Sequence, residues 1–239
     1  MKKGFCIGAI VVSLALLSMC GAVAQNYQEI RAIGTFPIGN FGRVGQTAEM
    51  FSESQLGSGS AIGAGLGYRY SFDLSMGITF IVGGDVFWNM TNSTYRRICY
   101  ENYAETAPHY LNMPFSIGVG LSMPLGKSQW SFFFDVTAGV NIHYTTSTGW
   151  RNFEVQYSPA LSPALSTEAA IRYKKVSLGV QVLSLGSPTM KVSSGEENFS
   201  SFPAHNQKRN MLMGNVVVSY KLSKHKKEWK PARKAVFDM

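Results

Sequence analysis

The stretch WSFFFDVTAGVNIHY, Trp130 to Tyr144, places an apolar or aromatic side chain at every second position for fifteen residues, with Asp135, Thr137, Asn141 and His143 between them. Alternation at a period of two belongs to a strand, since a helix returns its apolar residues every three or four positions. The run is also long. Strands of soluble domains usually stop after about five or six residues, whereas a tilted strand crossing a bilayer needs about nine to eleven and can project beyond it. Such a strand poses one question, which is what solvent meets its apolar side.

The same period recurs along the chain and gives eight candidate strands: Tyr27–Phe36, Ser60–Tyr70, Phe72–Asn89, His109–Met123, Gln129–Thr145, Ser162–Tyr173, Val176–Ser184 and Arg209–Leu222. In the second, Ile62, Ala64, Leu66, Tyr68 and Tyr70 oppose Gly63, Gly65, Gly67 and Arg69. In the fourth, Leu111, Met113, Phe115, Ile117, Val119 and Leu121 oppose Asn112, Ser116, Gly118, Gly120 and Ser122. The first, sixth and seventh alternate less clearly. Tight connections fall around Ser71, Pro124–Ser128 and Lys174–Lys175; those at Pro37–Gly59, Met90–Pro108, Thr146–Leu161 and Leu185–Lys208 run from sixteen to twenty-four residues. Long and short connections in turn describe an up-and-down meander with unequal rims, the pattern of outer-membrane barrels with short periplasmic turns and long external loops. An open sheet edge in hydrocarbon would leave amides and carbonyls unpaired at several kcal/mol each, so the eight strands should close. The fold expected is therefore all-β, an eight-stranded antiparallel up-and-down transmembrane β-barrel over residues 25–222. Trp130 and Tyr144, near opposite ends of one strand, suit the aromatic belts at the two interfaces.

The alternative is a soluble eight-stranded barrel of lipocalin type, or a sandwich, with apolar faces inward. Its outer faces would meet water and carry abundant charge, but the polar faces here are glycine, serine and single charges with almost no lysine.

The N-terminus fits export. Met1-Lys2-Lys3 is basic, Phe5 to Met19 is apolar or small, and Ala22-Val23-Ala24 precedes Gln25 as a small-x-small cleavage site, so residues 1–24 are expected to be a signal peptide. As a membrane anchor the run is short of the roughly twenty residues a helix needs. Cys20 as a lipidated cysteine is disfavoured by the bulky Met19 before it. Of the three cysteines only Cys99 lies after the cut, which leaves no internal disulfide and no thiolate metal site. The formal charge of +8 includes Lys2 and Lys3, leaving +6, and the segment from Lys221 onward supplies +5 through seven Lys or Arg against Glu228 and Asp238. The basic character thus belongs to a tail, residues 223–239, expected in the periplasm. It is not a nucleic-acid surface; lipid headgroups, peptidoglycan or a periplasmic protein could meet it, or solvent alone.

Glu29, Arg31, Arg69, Asp73, Asp85, Asp135, His143, Glu168 and Arg172 fall on the interior face. An eight-stranded barrel is just wide enough for side chains to fill it, and charges held there must be paired. Arg31, Arg69 and Arg172 against Glu29, Asp73, Asp135 and Glu168 should therefore form a salt-bridged plug. An enzyme would have to use His143 with Asp135 or Glu168 and a serine; the paired interior is the better reading, and no catalytic, cofactor-binding or metal residue is assigned. Gly57 to Gly67 has no following helix and is one face of a strand, not a nucleotide loop. His109, His205 and His225 lack ligand spacing. Pro159 and Pro163 are expected to stiffen a loop base.

The stretch Tyr110-Leu111-Asn112-Met113-Pro114-Phe115 resembles a strand opening of the small porin-like outer-membrane β-barrel proteins of the Bacteroidetes and of their secretion-associated relatives, and Val216-Val217-Val218-Ser219-Tyr220-Lys221-Leu222 resembles their last strand. The resemblance implies residence in the cell outer membrane, contact with its lipid and lipopolysaccharide, and delivery by the outer-membrane insertion machinery. Such proteins commonly end on an aromatic residue, whereas seventeen residues follow Leu222 here. The leading expectation is a non-enzymatic barrel with a structural or surface-recognition role performed by its external loops, with a surface or periplasmic protein as a possible partner. A secretion accessory, a narrow pore and a small-barrel lipid-modifying enzyme are the alternatives.

Overall fold

The computed structural model describes residues 25–43, 59–73, 77–101, 106–126, 129–150, 153–194 and 205–222. The expected signal peptide, the basic tail and the Asp73 side chain lie outside what is described. Eight strands form a closed antiparallel barrel: β1 (Gln25–Ile38), β2 (Ser60–Asp73), β3 (Ile78–Thr91), β4 (Tyr110–Pro124), β5 (Trp130–Thr145), β8 (Ala160–Tyr173), β9 (Val176–Ser184) and β12 (Leu212–Lys221). Four shorter strands, β6 (Thr148–Trp150), β7 (Phe153–Tyr157), β10 (Thr189–Ser194) and β11 (His205–Lys208), form a second sheet in the order β11-β10-β7-β6. Each barrel strand pairs with its sequence neighbour in the barrel, and β1 closes on β12 from Glu29↔Lys221 to Ile38↔Leu212.

Along β5, Phe133, Asp135, Thr137, Asn141, His143 and Thr145 are buried while Phe134, Val136, Val140 and Tyr144 face outward. The outward apolar set is extensive, with Ile62 75%, Leu161 71%, Val180 62% and Ile117 56% exposed on four different strands. Water would not tolerate a continuous wall of this kind. The solvent on the apolar side is hydrocarbon.

Three sequence expectations need correction. No tight turn occurs at Ser71: β2 runs on to Asp73 and β3 begins at Ile78, so Phe72 belongs to β2 and pairs with Phe80. The alternation of Arg69, Tyr70, Ser71 and Phe72 continues unbroken, and the turn glycine is Gly77, with a φ of 78°. Pro163 does not stiffen a loop base. It lies within β8 opposite Val140, and β9 pairs with β8 only from Leu165 onward. The missing N–H of Pro163 therefore falls on an unpaired side, where proline is tolerated. The final strand begins at Leu212 rather than Arg209, although Leu185–Met211 and Arg209–Pro188 backbone bonds carry the β9–β12 hairpin up into β10 and β11. Three of the long connections also hold further elements: the helix Ser93–Glu101, the β6–β7 hairpin and the β10–β11 hairpin. The latter two join through Val192↔Tyr157.

β1, β8 and β9, the less clear alternations, are among the barrel's strands all the same. Their pattern is blurred because the inward face mixes apolar with polar groups: β1 points Tyr27, Glu29, Arg31, Ile33 and Thr35 inward.

Candidate functional site

The interior is layered. At the short-turn end, Ile81, Phe133 and Ala170 form an apolar cluster. Above it lies a band of charge. Arg31 on β1 reaches across the lumen, its Nη1 donating to both carboxylate oxygens of Asp85 at 2.9 Å and its Nη2 to Glu168 on β8. Arg69 on β2 crosses in the same way, with Nη1 donating to Asp135 Oδ2 at 2.6 Å and Nη2 to Glu168 Oε2 at 3.0 Å. Arg172 is paired with Glu29 and lies 5.3 Å from the centres of both the Tyr27 and Phe133 rings. Asp135 and Glu168 are directly opposite one another on neighbouring strands. Two carboxylates in that relation repel, and the guanidinium of Arg69 bridges them from the far wall.

The three arginines and four of the expected acids thus come together. Asp85 was placed on the interior face by its phase but not assigned a partner, and it is the bidentate acceptor of Arg31. The room for it is made by Gly67, which faces Asp85 across β2 and β3; a Cβ there would run into the Asp85 carboxylate.

His143 stands higher, away from this band. Its Nδ1 donates to Asn112 Oδ1 at 2.9 Å, its Nε2 lies 3.0 Å from the Thr145 hydroxyl, and Asn112 Oδ1 also accepts from Asn141 Nδ2 at 3.2 Å. Both ring nitrogens are taken by neutral groups and the ring is fully buried. A general base needs a free nitrogen within reach of substrate, oriented by a third group; His143 has the arrangement of a packed, satisfied core histidine. Among the described residues no group of three or more His, Cys, Asp or Glu is placed to hold a metal ion.

Above His143, Phe41, Phe87, Tyr110, Leu183, Leu185, Met211 and Met213 join in an apolar cluster that reaches the mouth. Over it folds the small sheet, with Val155, Met190 and Val192 buried beneath it and Glu154, Gln156, Lys191 and Lys208 on its exposed face. Arg209, fully buried, sits at this level between the rings of Tyr110 and Tyr157 at 4.7 and 5.3 Å and donates to Thr145 and Gln207. Sequence reading missed Arg209 because nothing local marks a Lys-Arg pair at a strand base as buried.

Outside, aromatic side chains ring the wall. Tyr70 and Phe72 pack edge to face, Trp130 and Tyr173 meet at 4.7 Å, and Tyr220 is 47% exposed, all at the short-turn end. Trp88 and Tyr144 take the corresponding position at the other. An uncovered apolar wall between two aromatic girdles, on a closed barrel, is the surface of a protein that lives in lipid. The chain is an outer-membrane β-barrel.

No family model and no curated protein matches the chain. Among solved structures, Neisserial surface protein A resembles it with a TM-score of 0.53 at 12% identity, covering 85% of this chain and 100% of that one. OprG from Pseudomonas aeruginosa gives a TM-score of 0.46 at 9% identity, covering 84% and 97%. At such identities the likeness to Neisserial surface protein A concerns the fold alone, a small closed β-barrel.

Proposed function

We propose that this non-enzymatic barrel acts at the cell surface through its long-loop rim, as a structural or recognition element, and that its interior is plugged by side chains. The observation that carries the reading is the contrast between the two regions. Arginines from β1 and β2 tie the lumen to carboxylates on β3, β5 and β8, while two loops build an ordered sheet with a polar face turned to solvent. A narrow barrel crossed by ion pairs does not favour a pore. A rim stiffened by backbone pairing offers a pre-organised surface for a partner.

Residues 1–24 fit removal on export, with residues 223–239 left in the periplasm. The Tyr110–Phe115 strand opening supports a place among the porin-like barrels of the Bacteroidetes. The test is to replace segments 148–157 and 189–208 with short turns in a chain that still inserts. Loss of a surface-binding or envelope-integrity phenotype is expected. No change in any such assay would sink the recognition role, and loss of exported surface cargo alone would favour a secretion accessory instead.

A further inference from the structure

The pleat of β11 carries on toward β12 and turns one cation into the mouth. Gln207, Arg209, Met211 and Met213 are buried, while Asn206, Lys208 and Asn210 between them are exposed. The Arg209 N–H donates to the Pro188 carbonyl at 3.2 Å, which holds the backbone in that phase. Arg209 is 1% exposed. A guanidinium stays protonated in a protein interior, so this residue is a buried positive charge.

Each of its contacts is neutral. Nη1 donates to the Thr145 hydroxyl at 3.1 Å and Nη2 to Gln207 Oε1 at 3.0 Å. The rings of Tyr110 and Tyr157 lie 4.7 and 5.3 Å from its Cζ, but they supply no net charge. Nε is buried and has no acceptor among the described residues. Beyond Thr145 stands His143, whose Nδ1 donates to Asn112 Oδ1 and which brings no negative charge.

The rest of the interior follows a different rule. The other buried arginines, Arg31, Arg69 and Arg172, each meet a carboxylate. Arg209 meets none among the described residues. The acids of the lower band are too far away to serve it, since roughly 33 Å of strand separates Asp135 from Thr145. Glu154 is exposed on the outer face of the rim sheet, and Lys208 adds a second positive charge beside Arg209. A buried charge without a counter-charge is costly, and here the unmet Nε–H shows where one would bind.

We propose that Arg209 anchors a small-anion site at the mouth, in which a compact monovalent anion, chloride or a formate-sized carboxylate, accepts the Nε–H and neutralises the guanidinium. One positive charge calls for one negative charge. Enclosure by Tyr110 and Thr145 from the barrel, and by Tyr157 and Gln207 from the rim sheet, selects against sulfate or phosphate, which bring more oxygens and a second charge. The anion therefore sits where barrel and rim sheet meet and ties one to the other. The site requires the closed mouth and no partner for the rim, so it stands apart from the recognition reading.

The test is chlorine NMR line broadening with the full folded protein in detergent. The wild-type chain should broaden the chloride signal saturably; formate should compete the effect away, and sulfate at equal ionic strength should not. Gln207→Glu sets a carboxylate against Nη2 and completes the charge within the protein, so it should weaken chloride binding at least about tenfold, as one charge-assisted hydrogen bond predicts. R209M should lose the binding as well, while K191Q/K208Q, altered on the exposed face of the rim sheet, should keep it. In urea, the wild-type unfolding midpoint should rise when gluconate, too large to enter, is exchanged for chloride at constant ionic strength, and the Gln207→Glu midpoint should not. Broadening that does not saturate, unchanged binding in folded Gln207→Glu, or displacement by sulfate as readily as by formate overturns the site. The formate and sulfate comparison uses the wild-type protein, so it decides the matter even where R209M fails to fold.

Discussion

Replacing Arg69 with methionine removes one guanidinium from the centre of the barrel while keeping much of the apolar stem. Arg69 is 4% exposed and Asp135 is 0% exposed. Arg69 donates the hydrogen bond at Asp135 Oδ2, and Asp135 Oδ1 has no hydrogen-bond partner among the described residues. Glu168 keeps Arg31 when Arg69 is lost, so the damage concentrates on Asp135, left facing Glu168 across the β5–β8 pair. Three arginines face four carboxylates among the ion-paired interior groups; the variant makes that two against four. Stranding a buried charge in this way costs about 3–5 kcal/mol. The double variant R69M/D135N returns the excess to a single negative charge. It should recover at least about 2 kcal/mol of the loss, as expected for residues in direct contact. Urea unfolding in lipid vesicles, followed by tryptophan fluorescence and by the heat-dependent gel shift, measures both. A loss below about 1 kcal/mol in R69M, or a double variant no more stable than the single one, would falsify the cross-lumen pairing.

Other perturbations probe the remaining parts of the structure. Gly67→Val should lower stability by about 1–3 kcal/mol through overpacking, because its side chain enters the space of the Asp85 carboxylate. Gly34→Ala, with only the Val216 carbonyl oxygen at 4.0 Å, should change stability by less than about 0.5 kcal/mol; equal effects would show the lumen to be less crowded than described. On the outer face, Val136→Arg near mid-membrane should impair folding into vesicles by about 2–4 kcal/mol, against about 0–1 for Leu125→Arg at the rim. Equal tolerance of the two would contradict the lipid-facing assignment. His143→Ala should leave lipid A and phospholipid profiles unchanged while costing about 1–3 kcal/mol through the two hydrogen bonds lost, to Asn112 and to Thr145; an altered lipid profile in a folded variant would restore the enzyme. In a Cys99→Ser background, Gln156→Cys and Lys191→Cys should react with an impermeant maleimide on intact cells, and Gly126→Cys and Lys175→Cys only after the outer membrane is breached. The opposite order would invert the topology.

The strands and their faces were legible because alternation is a local property. Each residue from Trp130 to Tyr144 had only to be apolar or polar in turn for its side to be assigned, and Arg31, Arg69, Asp85, Asp135, Glu168 and Arg172 all point inward as their phase required. Closure was legible too, since the edges of eight apolar strands in hydrocarbon have no other partner. Where the local signal was absent the reading slipped. Ser71 and Phe72 have no turn chemistry and simply continue β2, and Pro163 can be recognised as a strand residue only when β9 is seen to end below it.

The partners within the lumen are a different kind of fact. Arg31 is 54 residues from Asp85 and 137 from Glu168, and which carboxylate each arginine meets depends on barrel diameter, stagger and the direction each stem takes across the lumen. The rim sheet is the same case: β7 and β10 pair through three positions drawn from two loops, and neither has the length to declare itself alone. Period two in the sequence decided that there would be a barrel, which face met lipid and which residues entered the lumen. The tertiary structure decided which charges touch and what covers the mouth, because those contacts exist only once the two ends of the sheet have met and fixed the distance between its walls.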